Sequence, residues 1–598
     1  MTSSLRWCAF LLSLVSLGRA IILTQNDASL VSSTKYDFVI VGGGTAGNVI
    51  ANRLTENPKF KVLLLEAGPS DAGQLELQIP FLCTHTTPNT AWDWNYTTVP
   101  QAALNGVSIS YPRGHVLGGS SSINCLVYTR GSKEDFDRYA DVTGDKGWSW
   151  DNMLPYFKKS ERFTPPADGH NTTGQFDPSV HGFNGRVGVS LPGAATAIDG
   201  RANAAFDQLG GEFQRTLDYN SGSPVGFGWS QAVIGGSKRS SSSTAYLAPQ
   251  YLQRSNLHVL VNSKVSRILQ TDTAGGLPVF RSVEFNLNGA ASSTKVTASK
   301  ELILSAGSLN TPQILLNSGI GSSSTLKSLH IKPLVDLPDV GENMGDHPII
   351  TLAWTVNSTQ TYDDFNRNTT LQNQEIQRWK QTGQGVFVNG IAQHIGFVRV
   401  PDTSPIFSKV GDPAPGPGSP HFEIFLSNFL LGTTPPTGNF LSISSIMLTP
   451  TARGNVKLNS TNLFGAPIID PQLLTGSTDV PLLREAVKST LRLVSASAWN
   501  GYILAPVDGQ PTATATDAEL DMFISGSARS AYHVVGTSSM TPKNAKTGVV
   551  DPDLKVKKVG GLRIVDASVL PFVPAGHTQA ATYALAERAA DLIKADHS

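Results

Sequence analysis

Two histidines stand in settings that could do chemistry. His533 lies in "RSAYHVVGTSSM", between an aromatic and two valines, and His577 lies in "PAGHTQ", 44 residues later. A free imidazole has a pKa of about 6.5, so near neutral pH it can accept a proton. Each histidine could be a satisfied core residue, a metal ligand or a general base. The metal reading lacks partners: no cysteine pair or His-x-x-x-His adds ligands, so no metal is expected. A nucleophilic serine in G-x-S-x-G is also absent.

The elements that must position them begin with "KYDFVIVGGGTAGNVIANRLTENPKFKVLLLEAG". It reads as a strand over Tyr36–Val41, a glycine turn, a helix from about Ala46 to Thr55 and a strand over Val62–Glu66. Gly42, Gly44 and Gly47, with Thr45 and Ala46 among them, form G-x-G-x-x-G. Such a turn lets backbone N–H groups approach a pyrophosphate at a helix N-terminus. Glu66 ends the second strand, where an acid can bond a ribose hydroxyl. The motif alone leaves nicotinamide and flavin dinucleotides both open. Alternating strands and helices predict a parallel sheet. The Ala- and Leu-rich stretch 578–595 predicts a final helix, opened by Thr578 and Gln579, whose dipole could stabilise negative charge. The Pro- and Gly-rich stretch 399–420 reads as a long surface loop.

The 598 residues carry 46 basic and 46 acidic side chains, so no electrostatic footprint for nucleic acid or an anionic membrane is expected. Residues 1–20 read as a secretory leader, with an apolar run too short to span a bilayer and small residues before a cut after Ala20. The protein is therefore expected to be secreted. Asn95, Asn171, Asn357, Asn368 and Asn459 are candidate glycosylation sites in that setting. Cys83 and Cys125 follow the leader, and either a disulfide or two thiols is open.

Three further segments resemble the glucose–methanol–choline (GMC) oxidoreductases: "YPRGHVLGGSSSINCLVYTRGSKEDFD", "SAGSLNTPQILLNSGIG" and "GLRIVDASVLPFVPAGHTQAATYALAERAADLI". The chain is similar to this family from about Tyr36 onward, and within it to fungal aryl-alcohol oxidases through "WDWNYTT" and "GVVDPDLKVK". The resemblance implies FAD as cofactor. It implies flavin contacts from Gly118, Gly119, Ser122 and Asn124, adenine contact at Val265, and pyrophosphate contact at Asp566 and Ala567. Covalently flavinylated members carry a histidine where this chain has Ile123, so the FAD is expected to be non-covalent. His533 and His577 match the family's catalytic pair, His533 as base and His577 as orienting partner. Tyr532, Cys125, Leu431 and Glu423 match positions around the substrate, and loss of aromatic bulk at Cys125 and Leu431 implies a wider pocket that admits bulkier or aliphatic unsaturated alcohols.

The resulting expectation is an α/β fold, an FAD-binding Rossmann-like domain interleaved with an α+β substrate domain carrying an antiparallel sheet. The first comprises 36–149, 231–345 and 531–598, the second 150–230 and 346–530. The expected activity is oxidation of a primary aromatic or allylic alcohol to the aldehyde with O2 reduced to H2O2, by a monomer. The rivals are a dehydrogenase passing electrons to a quinone, a hydroxynitrile lyase of the same family and a non-catalytic FAD-binding protein.

Overall fold

The computed structural model describes residues 22–287, 292–408 and 410–598. The expected leader, 1–20, lies outside the described residues. Tyr36–Val41 forms a strand buried along nearly its whole length, as a continuous apolar run demands. It pairs in parallel with Val62–Leu65 on one side and Thr294–Leu304 on the other. Leu257–Leu260 and Ile22–Leu23 extend the parallel set, and Leu562–Ile564 pairs in parallel with Thr294–Leu304. The antiparallel strands Leu277–Leu287 and Ser263–Ala274 complete an eight-stranded sheet.

The helix after the glycine turn spans Thr45–Leu54, and the final helix spans Thr578–His597. They pack together, and small residues (Ala580, Ala581, Ala584) let the backbones approach. Glu587, fully buried on the final helix, takes Arg53 Nε at 2.8 Å and the Tyr246 hydroxyl at 2.7 Å. The helix Trp150–Ser160 also packs against the final helix. The start of the segment expected in the substrate domain is thus shared with the dinucleotide unit.

A second, seven-stranded sheet runs in the order Ile503–Pro506, Pro348–Val356, Phe440–Met447, Phe422–Ser427, His394–Val398, Gly226–Trp229, with Arg529–Ser530 beside Pro348–Val356. All its pairings are antiparallel. Successive side chains on a strand point to opposite faces. Ile424, Leu426, Leu441 and Ile443 therefore pack toward the helix Asp479–Val494, whose Leu482, Leu483, Ala486 and Val487 are buried in the same cluster. Glu423, Phe425, Ile446 and Ile349 take the other face, and Ile446 lies directly opposite both Glu423 and Ile349. The stretch 399–420 is loop apart from a short 3-10 turn at Pro405–Ser408, among the described residues. No helix among the described residues is long and apolar enough to cross a membrane.

Candidate active site

A cavity of about 410 Å³ runs between the two sheets. One end is walled by Gly42, Gly44, Glu66 and Val265, the other by Tyr532, His533, His577 and Cys125. Its glycine-lined stretch is backbone set against backbone. Gly42 has φ +100° and no room for a side chain beside the Ser305 carbonyl. A Cβ on Gly119, at φ +54°, would come within 2.8 Å of Gly44 Cα. The turn 42–47 and the loop 118–124 therefore form a cradle that only glycines leave open. Glu66 is fixed at the wall by the N–H groups of Gly43 and Gly68, at 2.8 and 2.7 Å. Burial pushes its carboxyl up to about 7, against those backbone donors. This donor set fits a dinucleotide: amides for phosphate, a carboxyl for a ribose, and length enough to reach the histidines.

Thr45, Ala46, Gly119, Asn124, Asp566, Ala567, Thr578 and Gln579 also line the cavity. The Asp566 carboxyl is engaged by Gly307 N–H at 2.9 Å, Thr311 Oγ1 at 2.6 Å and Ser568 N–H at 2.9 Å. Asn124 Nδ2 donates to Gln579 Oε1 at 2.8 Å, tying the glycine-serine loop to the final helix. Other expected contacts stand behind the wall. Gly47 packs on the Gly42 carbonyl, Gly118 N–H donates to Gly43 O at 2.7 Å, and Ser122 Oγ donates to Leu117 O at 2.9 Å.

Two expected pocket residues are placed differently. Leu431 is outside the cavity wall, its N–H donating to Ser442 Oγ at 3.1 Å and its side chain packed on the Phe81–Phe387–Phe429 cluster. The offset from Glu423 is not kept because the chain leaves the strand at Ser427. Glu423 is fully buried and also outside the wall, and its Oε1 accepts from His577 Nε2 at 2.9 Å. It reaches the chemistry through His577. Ile349, Ile391, Phe425 and Ile446 supply the wall instead. The five sequon asparagines are all exposed, and Asn368 also caps the helix Thr369–Thr382.

The histidine pair is held from several sides. Tyr532 adopts φ +64°, a conformation rare outside glycine, and this kink turns its own ring outward and His533 inward. Asp346 Oδ1 accepts the backbone N–H of both His347 and His533, each at 2.8 Å. Its Oδ2 takes the Tyr111 and Ser530 hydroxyls. His577 caps the final helix, and its N–H donates to Thr129 Oγ1 at 2.6 Å.

The side chains then form a row. His347 Nε2 lies 3.2 Å from the Leu448 carbonyl, His347 Nδ1 lies 3.1 Å from His533 Nδ1, and His533 Nε2 lies 3.1 Å from His577 Nδ1. A carbonyl can only accept, so His347 Nε2 carries its proton and Nδ1 is a lone pair. His533 must then donate from Nδ1, which leaves Nε2 as a lone pair. At the far end His577 Nε2 donates to Glu423 Oε1 at 2.9 Å, and its Nδ1 faces His533 Nε2. The lone pair of His533 Nε2 is thus turned toward the cavity. Burial, followed by electrostatic repulsion against His577, pushes His347 down to about 3. Burial first, then His577, His347 and Arg113, hold His533 well below the ordinary imidazole value. The site is a proton acceptor kept neutral. Asp346 and His347 were missed in the sequence, where "GDHPII" offers one lone histidine before a proline.

A parallel sheet with a glycine turn at a dinucleotide-sized cavity, closed by a histidine pair, defines a dinucleotide-dependent oxidoreductase. The pattern of the amino-terminal GMC oxidoreductase domain matches residues 36–349 and that of the carboxy-terminal domain matches 450–586. The chain belongs to the GMC oxidoreductases, and its cofactor is FAD. It is 44% identical over 583 residues to "Dehydrogenase eriK" of Hericium erinaceus, covering 96% of each chain. It is 40% identical over 605 residues to "Pyranose dehydrogenase 3" of Leucoagaricus meleagris, covering 98% of this chain and 97% of that one. Among solved structures, a fungal aryl-alcohol oxidase superposes with a TM-score of 0.82 at 28% identity, over 94% of this chain and 99% of that one.

Proposed function

We propose that the protein is a secreted, FAD-dependent alcohol dehydrogenase that turns a primary alcohol with an aromatic or allylic body into the aldehyde and passes the electrons to a quinone-type acceptor. The observation that carries the reaction is His533 Nε2, an acceptor turned to the cavity 3.1 Å from His577 Nδ1. An alcohol hydroxyl entering there donates its one proton to His533 Nε2, which takes it. His577, held by Glu423, orients the oxygen. FAD bound along the cavity supplies the hydride acceptor. Gly42, Gly44, Thr45 and Ala46 would hold its pyrophosphate, Glu66 a ribose and Val265 the adenine. Ile123 offers no nucleophile for a covalent link.

The apolar body of the substrate is supported by Ile349, Ile391, Phe425 and Ile446, which give a polyol few hydrogen-bond partners. The acceptor is supported by the names of the relatives at 44% and 40% identity, both dehydrogenases. The expected use of O2 becomes the second reading, favoured by the likeness to an aryl-alcohol oxidase. Secretion and glycosylation rest on the leader and the exposed sequons. The test is anaerobic mixing of holoenzyme with benzylic, allylic and sugar substrates while flavin absorbance is followed. Bleaching by aryl alcohols, slow recovery in O2 and fast recovery with benzoquinone are expected. Fast recovery in O2 with peroxide release turns the reading to an oxidase. Bleaching by sugars alone rejects the substrate class, and no bleaching favours a lyase or a non-catalytic binder.

A further inference from the structure

Cys83 and Cys125 meet in the wall of the cavity, Sγ to Sγ at 2.6 Å. They come from separate segments: Cys83 is buried in the 3-10 turn Pro80–His85, and Cys125 follows Asn124 at the end of the cradle loop. Cys125 faces the cavity and Cys83 stands behind it. A third group completes the cluster. Arg239 is only 3% exposed, and its Nη1 and Nε donate to carbonyls of Asn124, Ser121 and Leu77 and to Asn124 Oδ1. Its Nη2 has no partner. The ionisable groups facing it are Cys83, Cys125 and Tyr583, none of them a carboxylate. A buried cation without a paired anion is costly. A thiolate on Cys125 is the anion that this geometry supplies.

We propose that Cys125 is an oxidisable nucleophile at the substrate end of the cavity and that Cys83 is its resolving partner, the two forming a reversible disulfide on exposure to a small peroxide. The Cys125 thiolate attacks one peroxide oxygen. The O–O bond breaks, an S–O bond forms, and the departing hydroxide takes up a proton as water. Cys83 sulfur then attacks the Cys125 sulfenic sulfur. The S–O bond breaks, an S–S bond forms, and a second water leaves with the Cys83 proton. Two thiols lose two electrons to one hydrogen peroxide. The division of roles follows from the surroundings: the hydrogen bond from Cys83, aided by Arg239, pulls Cys125 down, whereas burial pushes Cys83 up. Low-pKa cysteines open to solvent and poised next to a resolving cysteine are the ones that oxidise reversibly.

The test treats holoenzyme with hydrogen peroxide, quenches with iodoacetamide under denaturing conditions and maps peptides without reductant. The expected result is a linked Cys83–Cys125 peptide two hydrogens lighter than the two thiol peptides, converted back to two alkylated peptides by dithiothreitol. In reduced native enzyme iodoacetamide should label Cys125 before Cys83, more slowly when an alcohol fills the cavity. In Cys83→Ser, dimedone should trap Cys125 as the sulfenic acid. Two alkylated thiols after peroxide treatment, or Cys125 running to sulfinic acid with Cys83 still free, overturns the proposal. All these readouts are masses of cysteine peptides, so they stand whether or not an alcohol reduces the flavin.

Discussion

His347 sits behind His533, Nδ1 to Nδ1 at 3.1 Å, and takes its own orientation from the Leu448 carbonyl. A backbone carbonyl thereby sets which nitrogen of His533 is free at the cavity. His347→Leu removes the acceptor and lets His533 sample the other tautomer. Flavin reduction by the alcohol should slow about 100-fold, at the low end of the roughly 10²–10⁴ attributed to a positioned base, with FAD content unchanged. His347→Gln, whose amide oxygen can accept from His533, should recover part of the loss. A wild-type rate in His347→Leu would remove His347 from the chemistry.

The second prediction concerns pH. His533 is held well below its ordinary value, chiefly by burial. It acts as a base only when neutral, so the loss of activity on acidification should come well below pH 6.5. The rate of flavin reduction should hold level as pH falls through 6.5 in stopped-flow traces. A titration limb centred at 6.5 that His533→Gln abolishes would show that the base is not shielded as described.

Acid should nevertheless weaken the fold. His347 and His394 are both pushed down to about 3, in each case first by burial. In the unfolded chain they titrate near 6.5, so between these values the unfolded state binds more protons. Their contribution is complete above pH 6.5 and is lost as pH falls toward 3. Urea midpoints should drop across that window, and His394→Leu should flatten part of the slope. His394 is the cleaner probe because it is fully buried, neither ring nitrogen has a hydrogen-bond partner, the nearest carboxylate is Asp199 at 3.8 Å, and it lies outside the cavity wall.

Glu423 is expected to act through His577 rather than on the substrate. Glu423→Leu removes the acceptor for His577 Nε2 and should lower kcat by roughly 10-fold or more with a smaller change in KM. Glu423→Gln keeps an acceptor oxygen and should fall between the two. Equal kcat in all three proteins would leave Glu423 a packing residue.

Gly47→Ala should yield protein with little bound flavin, measured by visible absorbance against protein absorbance, since the added methyl runs into the Gly42 carbonyl. Gly200→Ala is the control. Nothing lies within 4 Å of a Cβ there, and the site is inside the helix Asp199–Leu209. It should keep its flavin and gain up to about 1 kcal/mol from helix propensity.

What could be read in the sequence was what neighbouring residues encode together. The strand Tyr36–Val41, the glycine turn and the helix at Thr45–Leu54 announce themselves by apolar runs and spacing, and their bounds shift by a residue at most. His533 and His577 were legible because each sits in a distinctive short segment. His347 was not, because its partners are a carbonyl 101 residues away and a histidine 186 residues away, and neither leaves a local mark. Leu431 was placed by counting from Glu423, and counting fails where the strand Phe422–Ser427 ends and a turn begins.

The strand Phe422–Ser427 carries the carboxylate that holds His577 and part of the substrate wall on one face and the helix-packing residues on the other. Heritable change can therefore act on the two faces separately. Substitutions at Ile349, Phe425 and Ile446 can reshape what the cavity admits without disturbing the residues against Asp479–Val494. Insertion of a single residue would exchange the two sets at once. Diversification of substrate within this architecture should proceed by replacement on alternate positions of these strands, with changes of length confined to the loops between them.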